Sequence, residues 1–231
     1  MTEKRVTQLP SELKAWYDAH LPEAASSLNL GASEAALAAV EAELQEERGQ
    51  GLPAELRELY LQNDGQDGPT VCGVVFGLAF SSLEQMLTDW RVWRDVARGE
   101  ILDLDADFRD LGTIYPPETI QNVYAHPGWL PFCRGGGGNH LALDLQPGPD
   151  RRVGQIINCG RDENNRRVLA PALAAFLEWL LAQYGADNYA VVTGRFDGRE
   201  ERCSGSAFRS GKAFSAPPPS SFRPVKDDRF K

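Results

Sequence analysis

The sequence predicts an α+β fold with N-terminal helices, a central mostly antiparallel sheet and a C-terminal helix that covers the sheet. Three observations support this prediction. Apolar residues recur at helical spacing through most of the first hundred residues, and short apolar runs bounded by Gly or Pro follow Pro116 and Pro117. A final helical pattern then begins at Pro171, and no internal repeat is visible.

Four helices are predicted before the sheet. The first spans residues 8–20, the second begins at Ser33 as its N-cap, and the third begins at Pro53. The fourth follows residues 81–84, whose Ser-Ser-Leu-Glu sequence is a capping-box pattern. Each carries an apolar stripe at spacings of three and four residues, as expected of helices packed on a core. Between the third and fourth helices, the apolar run 71–77 is rich in Val and predicts a buried strand.

The sheet is predicted from short runs in the second half of the chain. Leu141, Leu143 and Leu145 alternate with Ala142 and Asp144, which predicts one buried face and one freer face. The helix from Pro171 to Gly185 closes the fold. The candidate strands are residues 129–132, 139–145, 153–158 and 168–170.

The composition is that of a globular protein and argues against two classes of partner. The chain has 231 residues and a net charge of −9, whereas nucleic-acid-binding proteins concentrate positive charge. No apolar run approaches the ~18 residues of a membrane span, and no apolar run follows the N-terminal basic pair as in a signal peptide. We therefore expect a cytoplasmic protein without a nucleic-acid or membrane partner.

The charge is unevenly distributed. Residues 1–193 carry a net charge of −13, whereas residues 194–231 carry +4 and five of the ten Phe residues. This tail also contains three consecutive prolines, 217–219, and four of its Phe residues stand beside an Arg. Two interpretations stay open: a mobile tail, or a docking strip that binds the domain or a partner through Phe and Arg.

Familiar cofactor and metal motifs fail when tested. Asp103, Asp105 and Asp107 resemble the start of a calcium loop, but the loop positions that require Gly and Glu hold Phe108 and Ile114. The glycine run 135–138 lacks the residues of a phosphate loop and precedes a strand pattern, which favours a tight connection. We therefore predict no cofactor and no metal.

Catalytic candidates are equally sparse. His126, His140 and Asp144 lack the spacing of metal ligands, and Cys133 with His140 lacks the spacing of a nucleophile and its base. The cysteines are far apart and form no C-x-x-C pair, so we expect small buried thiols in a reducing compartment. They are Cys72, Cys133, Cys159 and Cys203.

Several segments in the second half carry a family resemblance. Residues 123–132 read VYAHPGWLPF, residues 139–149 read NHLALDLQPGP and residues 154–162 read GQIINCGRD, followed by VLA at 168–170. This ordered set resembles the SUKH superfamily, specifically the Smi/Knr-type family named after fungal regulators of cell-wall assembly. The resemblance spans about residues 33–184.

The resemblance implies a single SUKH-type domain without catalytic residues. It divides the chain into an N-terminal helical extension at residues 1–30, the domain at 31–190, and the basic, Phe-bearing tail at 191–231. Bacterial members are associated with toxin systems as immunity proteins, and fungal members resemble scaffolds in cell-wall integrity signalling. In one departure from the family, the last helix opens with Pro171 and Ala172 instead of Ser.

Six residues of the resembling segments are candidates for partner binding, and four of them, the Trp, the two Asp and the Gln, have a structural interpretation as well. The Trp indole N–H needs a partner if buried, the two Asp side chains suit turn amides, and the Gln lies in an apolar strand. Fold maintenance and direct partner contact both stay open for them. The candidates are Trp129, Asn139, His140, Asp144, Gln155 and Asp162.

These observations predict a non-catalytic protein-binding module that acts as a toxin-immunity or regulatory protein. An acidic body suits a basic partner such as a toxin domain, because complementary charge speeds encounter. One alternative is a signalling scaffold for cell-wall assembly. Another is a small-molecule-binding protein or enzyme built around His126, His140, Asp144 and Asp162. The oligomeric state stays open.

Overall fold

The computed structural model describes residues 7–66, 73–100, 112–135, 137–149, 152–186, 188–196 and 199–206. Within this part of the chain, helices dominate the first half and strands the second, and a long helix follows the sheet. This confirms the predicted α+β class. The helices are α1 (Leu9–His20), α2 (Pro22–Ser26), α3 (Glu34–Arg48), α4 (Ala54–Gln62), α5 (Leu83–Ala97) and α6 (Leu173–Gly185).

Six strands form an open sheet in the order β1-β3-β4-β5-β6-β2. Neighbouring strands are antiparallel except β2 and β6, which run parallel, so the predicted mostly antiparallel sheet is confirmed. Both edge strands are only two residues long, which leaves little unpaired backbone on them for another chain to pair with. The strands are β1 (Ala79–Phe80), β2 (Ile114–Tyr115), β3 (Trp129–Arg134), β4 (Asn139–Asp144), β5 (Gln155–Gly160) and β6 (Arg166–Ala170).

One face of the sheet packs against the helices and forms the main core. Leu143 and Ile156 from the central strands lie in one apolar cluster with Trp90 of α5 and Phe176 of α6, and all four are fully buried or nearly so. Tyr17 of α1 belongs to the same cluster. The first helix is therefore part of the core that holds the sheet.

The opposite face is buried too, which corrects the prediction of a freer face. Ala142 and Asp144 are both 0% exposed. Ile120, from the connection between β2 and β3, packs with Ala142 and Ile157 in a second apolar cluster. The apolar residues of this connection do not recur at helix or strand spacing, so the sequence pattern does not predict that it covers the sheet.

The strand predicted at residues 71–77 is wrong for the described part, residues 73–77. Isolated bridges join Gly73 to Gly77 and Val75 to Leu78, and the regular strand β1 begins only at Ala79. Phe76 and Gly77 have φ angles of 50° and 88°. Two consecutive positive φ angles reverse the chain direction, which an extended strand does not allow.

The N-caps of the predicted helices lie at or next to the residues that the sequence predicts. Ser33 Oγ accepts a hydrogen bond from Ala36 N at 3.1 Å, as predicted. At α5 the cap is Ser82, one residue later than the capping-box pattern, and its Oγ accepts from Gln85 N at 3.2 Å. The start of α6, at Ala172, has no side-chain cap, in line with the departure from the family pattern.

A backbone hairpin follows α6. Strands β7 (Tyr189–Phe196) and β8 (Arg199–Ser206) pair antiparallel over their full length of eight residues each. The sequence pattern predicts no element here, and the hairpin crosses residue 191, the predicted start of the tail. Residues 207–231 lie outside the described residues, as does the acidic stretch 101–111 that contains Asp103, Asp105 and Asp107.

Candidate functional site

A buried polar junction joins three central strands at one end of the sheet. Asp144 at the end of β4 lies opposite Trp129 on β3 and Gln155 on β5. Gln155 Nε2 donates to Asp144 Oδ2 at 2.9 Å and to the carbonyl of Thr119 at 2.8 Å. Gln146 N donates to the other carboxyl oxygen of Asp144 at 3.1 Å. The junction thus ties the sheet to the connection that covers its second face.

Burial sets the protonation of this junction. Burial raises the pKa of Asp144 to about 6 from an ordinary 3.8, although hydrogen bonds from Gln155 and Gln146 favour the ionised form. The indole N–H of Trp129 also favours it, without forming a hydrogen bond of ordinary geometry. Gln155 Oε1 has no hydrogen-bond partner among the described residues. The junction therefore holds a carboxyl group whose charge is poorly compensated.

A buried guanidinium lies behind the same tryptophan. Arg166 is 1% exposed, and its Cζ lies 5.1 Å from the ring centroid of Trp129, a cation–π distance. Its Nη2 donates to the carbonyl of Tyr124 at 2.7 Å, whereas Nε and Nη1 have no partner among the described residues. Burial lowers the pKa of Arg166, but a guanidinium stays charged near neutral pH. This cation is held by one carbonyl and one aromatic face.

Aromatic rings surround a small depression beside the buried cation. The rings of Trp93 and Tyr124 lie 5.7 Å apart, and those of His126 and Trp129 lie 5.8 Å apart. All four line the depression, with Cys159 among the other residues at its wall. Burial, and then the nearby Arg48, lower the pKa of His126, which favours the neutral ring. Three of these rings come from the VYAHPGWLPF segment, which folds so that they converge.

The second histidine lies at the other end of β4. His140 is 5% exposed, and its Nδ1 lies 3.9 Å from Asp89 Oδ2 on α5, too far for a hydrogen bond. Burial lowers the pKa of His140, while Asp89 opposes this effect and Arg134 adds to it. His140 and Asp144 are four residues apart on one strand, about 13 Å at ~3.3 Å per residue.

The last two candidates form a turn at the sheet end near His140. Asn139 Oδ1 accepts a hydrogen bond from Asp162 N at 2.9 Å, which links the start of β4 to the turn after β5. Asn139 is half-buried and Asp162 is exposed. Gly160 makes this close approach possible, because a Cβ there would lie 2.5 Å from the carbonyl oxygen of Gly138. The predicted tight glycine connection is therefore in contact with this turn.

The six predicted candidates thus occupy two places and differ in access. Trp129, Asp144 and Gln155 form the buried junction, and His140 is buried at the opposite end of β4. Only Asn139 and Asp162 reach the surface. The buried candidates can influence a partner only through the surface they position, whereas Asp162 can contact one directly. Partner contact stays a prediction for all six.

The residues of the enzyme hypothesis do not converge. His126 lines the depression, His140 and Asp144 occupy opposite ends of β4, and Asp162 lies in an exposed turn. Burial raises the pKa of Cys133 well above its ordinary value, which disfavours the thiolate that a nucleophile requires. Among the described residues, no three His, Cys, Asp or Glu side chains group closely enough to hold a metal ion.

Sequence reasoning missed Arg166, Thr119 and Trp93 as parts of this region. Arg166 had a usable signal, because it lies two residues before Val168 and therefore shares its face of β6. Val168 belongs to the second apolar cluster, so the same alternation places Arg166 beside it. Thr119 acts through its backbone carbonyl, which leaves no trace in residue type.

The acidic helix surface is largely paired. Arg91 of α5 and Arg98, the residue that follows α5, form ion pairs with Glu43 and Glu47 of α3, at 2.5 and 2.9 Å. Arg57 of α4 binds two further carboxylates of α3, those of Glu34 and Glu41. These pairs hold α3 against its neighbours, and at exposed positions each contributes ~1 kcal/mol or less. Part of the negative charge expected to face a partner is thus used between helices.

The helix-backed, mostly antiparallel sheet agrees with the α+β domain that the SUKH resemblance implies. The chain belongs to the SMI1 / KNR4 family (SUKH-1), whose model matches residues 31–179. The junction and the aromatic depression lie inside the matched range. This confirms the resemblance inferred from the sequence segments.

Three fungal relatives illustrate the family. The chain is 35% identical over 143 residues to "Cell wall biosynthesis/cell cycle regulator smi1" of Schizosaccharomyces pombe, covering 59% of this chain and 28% of that protein. It is 32% identical over 168 residues to "Glucan synthesis regulatory protein" of Neurospora crassa, covering 61% and 32%. It is 27% identical over 168 residues to "Cell wall assembly regulator SMI1" of Saccharomyces cerevisiae, covering 61% and 33%. The chain thus spans about a third of the length of these relatives.

The relatives favour the regulatory alternative over toxin immunity. All three are named as regulators, which agrees with a module that is not an enzyme. None of the three names mentions a toxin. In the part of the chain that the structure describes, no helix is both long and apolar enough to cross a membrane.

Proposed function

We propose that this chain is a non-catalytic, cytoplasmic regulatory module of cell-wall assembly that works by binding another protein. The observation that carries the proposal is family membership together with relatives named for cell-wall and glucan regulation. The buried junction supports it, because Asp144 and Gln155 use their polar groups to hold strands together and are closed to a substrate.

The exposed turn at Asp162 is the contact point that we propose for the partner. Asp162 is the one exposed residue among the six candidates, and its backbone is fixed by Asn139, so its carboxylate has a defined starting position. A partner with basic residues opposite this turn gains charge complementarity, which speeds encounter and aligns the complex. A basic toxin domain has the same chemistry, so the experiment must separate the two partners.

A photo-crosslinking experiment in the native cells tests the proposal. A benzophenone amino acid is placed at position 162, or at Glu46 of α3 as an exposed acidic control without a described ion pair. We expect a discrete adduct with a cell-wall assembly protein from position 162 and none from position 46. An adduct with a toxin supports immunity instead. No adduct from position 162 contradicts the proposed contact.

A genetic measurement tests the regulatory role separately. We expect deletion of the gene to change incorporation of labelled glucose into wall polymer, and wild-type chain to restore it. Asp162→Lys should restore it less well than Glu46→Lys, although both substitutions change the charge equally. Unchanged polymer synthesis in the deletion strain would contradict a cell-wall role.

A further inference from the structure

An aromatic surface around the depression lacks a described covering element. Trp93, Tyr124 and His126 are half-buried there. Their chain neighbours Val92 and Val123 are 46% and 38% exposed, two of five large apolar residues exposed in the described part of the chain. Surfaces of this kind bind extended segments that bring proline or aromatic rings. We define the aromatic surface as the half-buried rings of Trp93, Tyr124 and His126 together with their exposed chain neighbours Val92 and Val123.

This chain carries a segment of matching chemistry. Residues 214–223 read FSAPPPSSFR, with a Phe at the start, three prolines in the middle and a Phe–Arg pair at the end. Proline rings and Phe pack on Trp and Tyr faces, and consecutive prolines favour the preformed extended helix that aromatic grooves recognise. Arg adds cation–π contacts with the same rings.

Charge and chain length allow this segment to reach the surface. Residues 207–231 hold six Lys or Arg and two Asp, a net charge of +4, whereas residues 1–206 carry −13. The last described strand ends at Ser206, so seven residues, 207–213, lie between it and Phe214. Extended at ~3.4 Å per residue, the connection and the segment span about 60 Å, more than the roughly 43 Å diameter of a 206-residue domain.

We propose that residues 214–223 of this chain bind its own aromatic surface. The three prolines lie over Trp93 and Tyr124, and the flanking Phe residues cover Val92 and Val123. Bound there, the segment withholds the aromatic surface from other proteins. The proposal is independent of the cell-wall role, since it concerns contact within one chain and is measured on the purified protein.

Chymotrypsin cleavage of the full-length chain tests this contact. The enzyme cuts after Phe214 and Phe222, and intact mass gives the initial rate at each position. Val123→Asp places a charge on the aromatic surface, and Val153→Asp places the same charge on an exposed valine elsewhere. We expect at least fivefold faster cleavage in Val123→Asp and a wild-type rate in Val153→Asp. Val92→Asp, on α5, should repeat the acceleration and serves if Val123→Asp misfolds.

Two further measurements sharpen the outcome. Raising NaCl from 50 to 500 mM should speed cleavage of the wild type more than that of Val123→Asp, because salt screens the attraction between tail and body. Equal cleavage rates in all variants would overturn the proposal, as would acceleration by Val153→Asp alone. Protection that grows with protein concentration between 2 and 200 μM would also overturn it, since the occupant is then a second copy.

Discussion

Asp144→Asn is expected to change how stability depends on pH. In the folded protein Asp144 has a pKa of about 6, whereas in the unfolded chain its pKa is near 3.8. Because the folded-state pKa is raised, the contribution of Asp144 to stability falls as pH rises from about 4 to 6 and stays constant above. At about 1.4 kcal/mol per pKa unit, the shift corresponds to about 3 kcal/mol.

The asparagine side chain cannot ionise, so the variant lacks this decrease. It meets a different problem, because its amide group faces either Gln155 Nε2 or Gln146 N, both of which are donors. A donor facing a donor in a buried site costs roughly 1–3 kcal/mol at every pH. We therefore expect the variant to be the less stable protein at pH 4, with the deficit shrinking or reversing at pH 7.

Urea unfolding followed by tryptophan fluorescence measures the effect between pH 4 and 7.5 at fixed ionic strength. The informative quantity is the difference in unfolding free energy between variant and wild type. It should change by about 2.4 kcal/mol in favour of the variant between pH 4 and 7.5, because the unfolded carboxyl is already partly ionised at pH 4. Asp162→Asn, in the exposed turn, reports the effect of losing a carboxylate outside the junction. A difference that stays flat with pH at Asp144 would refute the assignment of a poorly compensated buried carboxyl.

Three further predictions concern the frame of the site. Arg166→Met removes a buried charge at similar volume, so its free energy of unfolding should stay within about 1 kcal/mol of the wild type. Arg166→Ala should cost at least ~2 kcal/mol more because packing is lost, and equal urea midpoints for the two variants would contradict this. Gly65→Ala should lower the melting temperature far more than Gly49→Ala, because both residues have φ near 72° but only at Gly65 would a Cβ lie 2.2 Å from a backbone atom. Similar melting temperatures would show that the strain of the positive φ outweighs the steric clash. Tyr17→Phe and Tyr184→Phe each remove one of the two hydrogen bonds that the carbonyl of Val74 accepts from these hydroxyls. The double variant should therefore lose more unfolding free energy than the two single variants combined, and strict additivity would exclude a shared acceptor.

The parts of the fold that the sequence predicted are those with a local cause. Ser33 caps α3 through a hydrogen bond to a residue three positions away, and Leu141 and Leu143 alternate toward the main core. The strand predicted at residues 71–77 failed because composition alone does not reveal the chain reversal at Phe76 and Gly77. Val, Phe and Gly suit a strand and a tight reversal almost equally when no partner strand is specified.

In the candidate site, too, the sequence predicts the local contacts and not those made by residues distant in the chain. Asp144 was expected to accept a turn amide, and Gln146 N two residues later donates to it. The complete burial of Asp144 is not predictable from the sequence, because residues 116–128 cover it without forming a helix or strand and Thr119 contributes only a carbonyl. Gln155 was expected to need a partner inside the sheet, and it found two, one of them 36 residues away.

The distribution of burial bears on what family membership can say about partners. Most of the matching motif residues lie in the interior: Trp129 and Gln155 hold the junction, and His140 lies under α5. These buried contacts maintain the fold, whatever the fold binds. Partner choice must then depend on exposed groups, where substitutions cost little stability. We propose that in this chain those groups are Asp162 and the rim of the aromatic surface. Substitutions of charged and apolar residues there should alter binding while leaving the free energy of unfolding within about 0.5 kcal/mol of wild type.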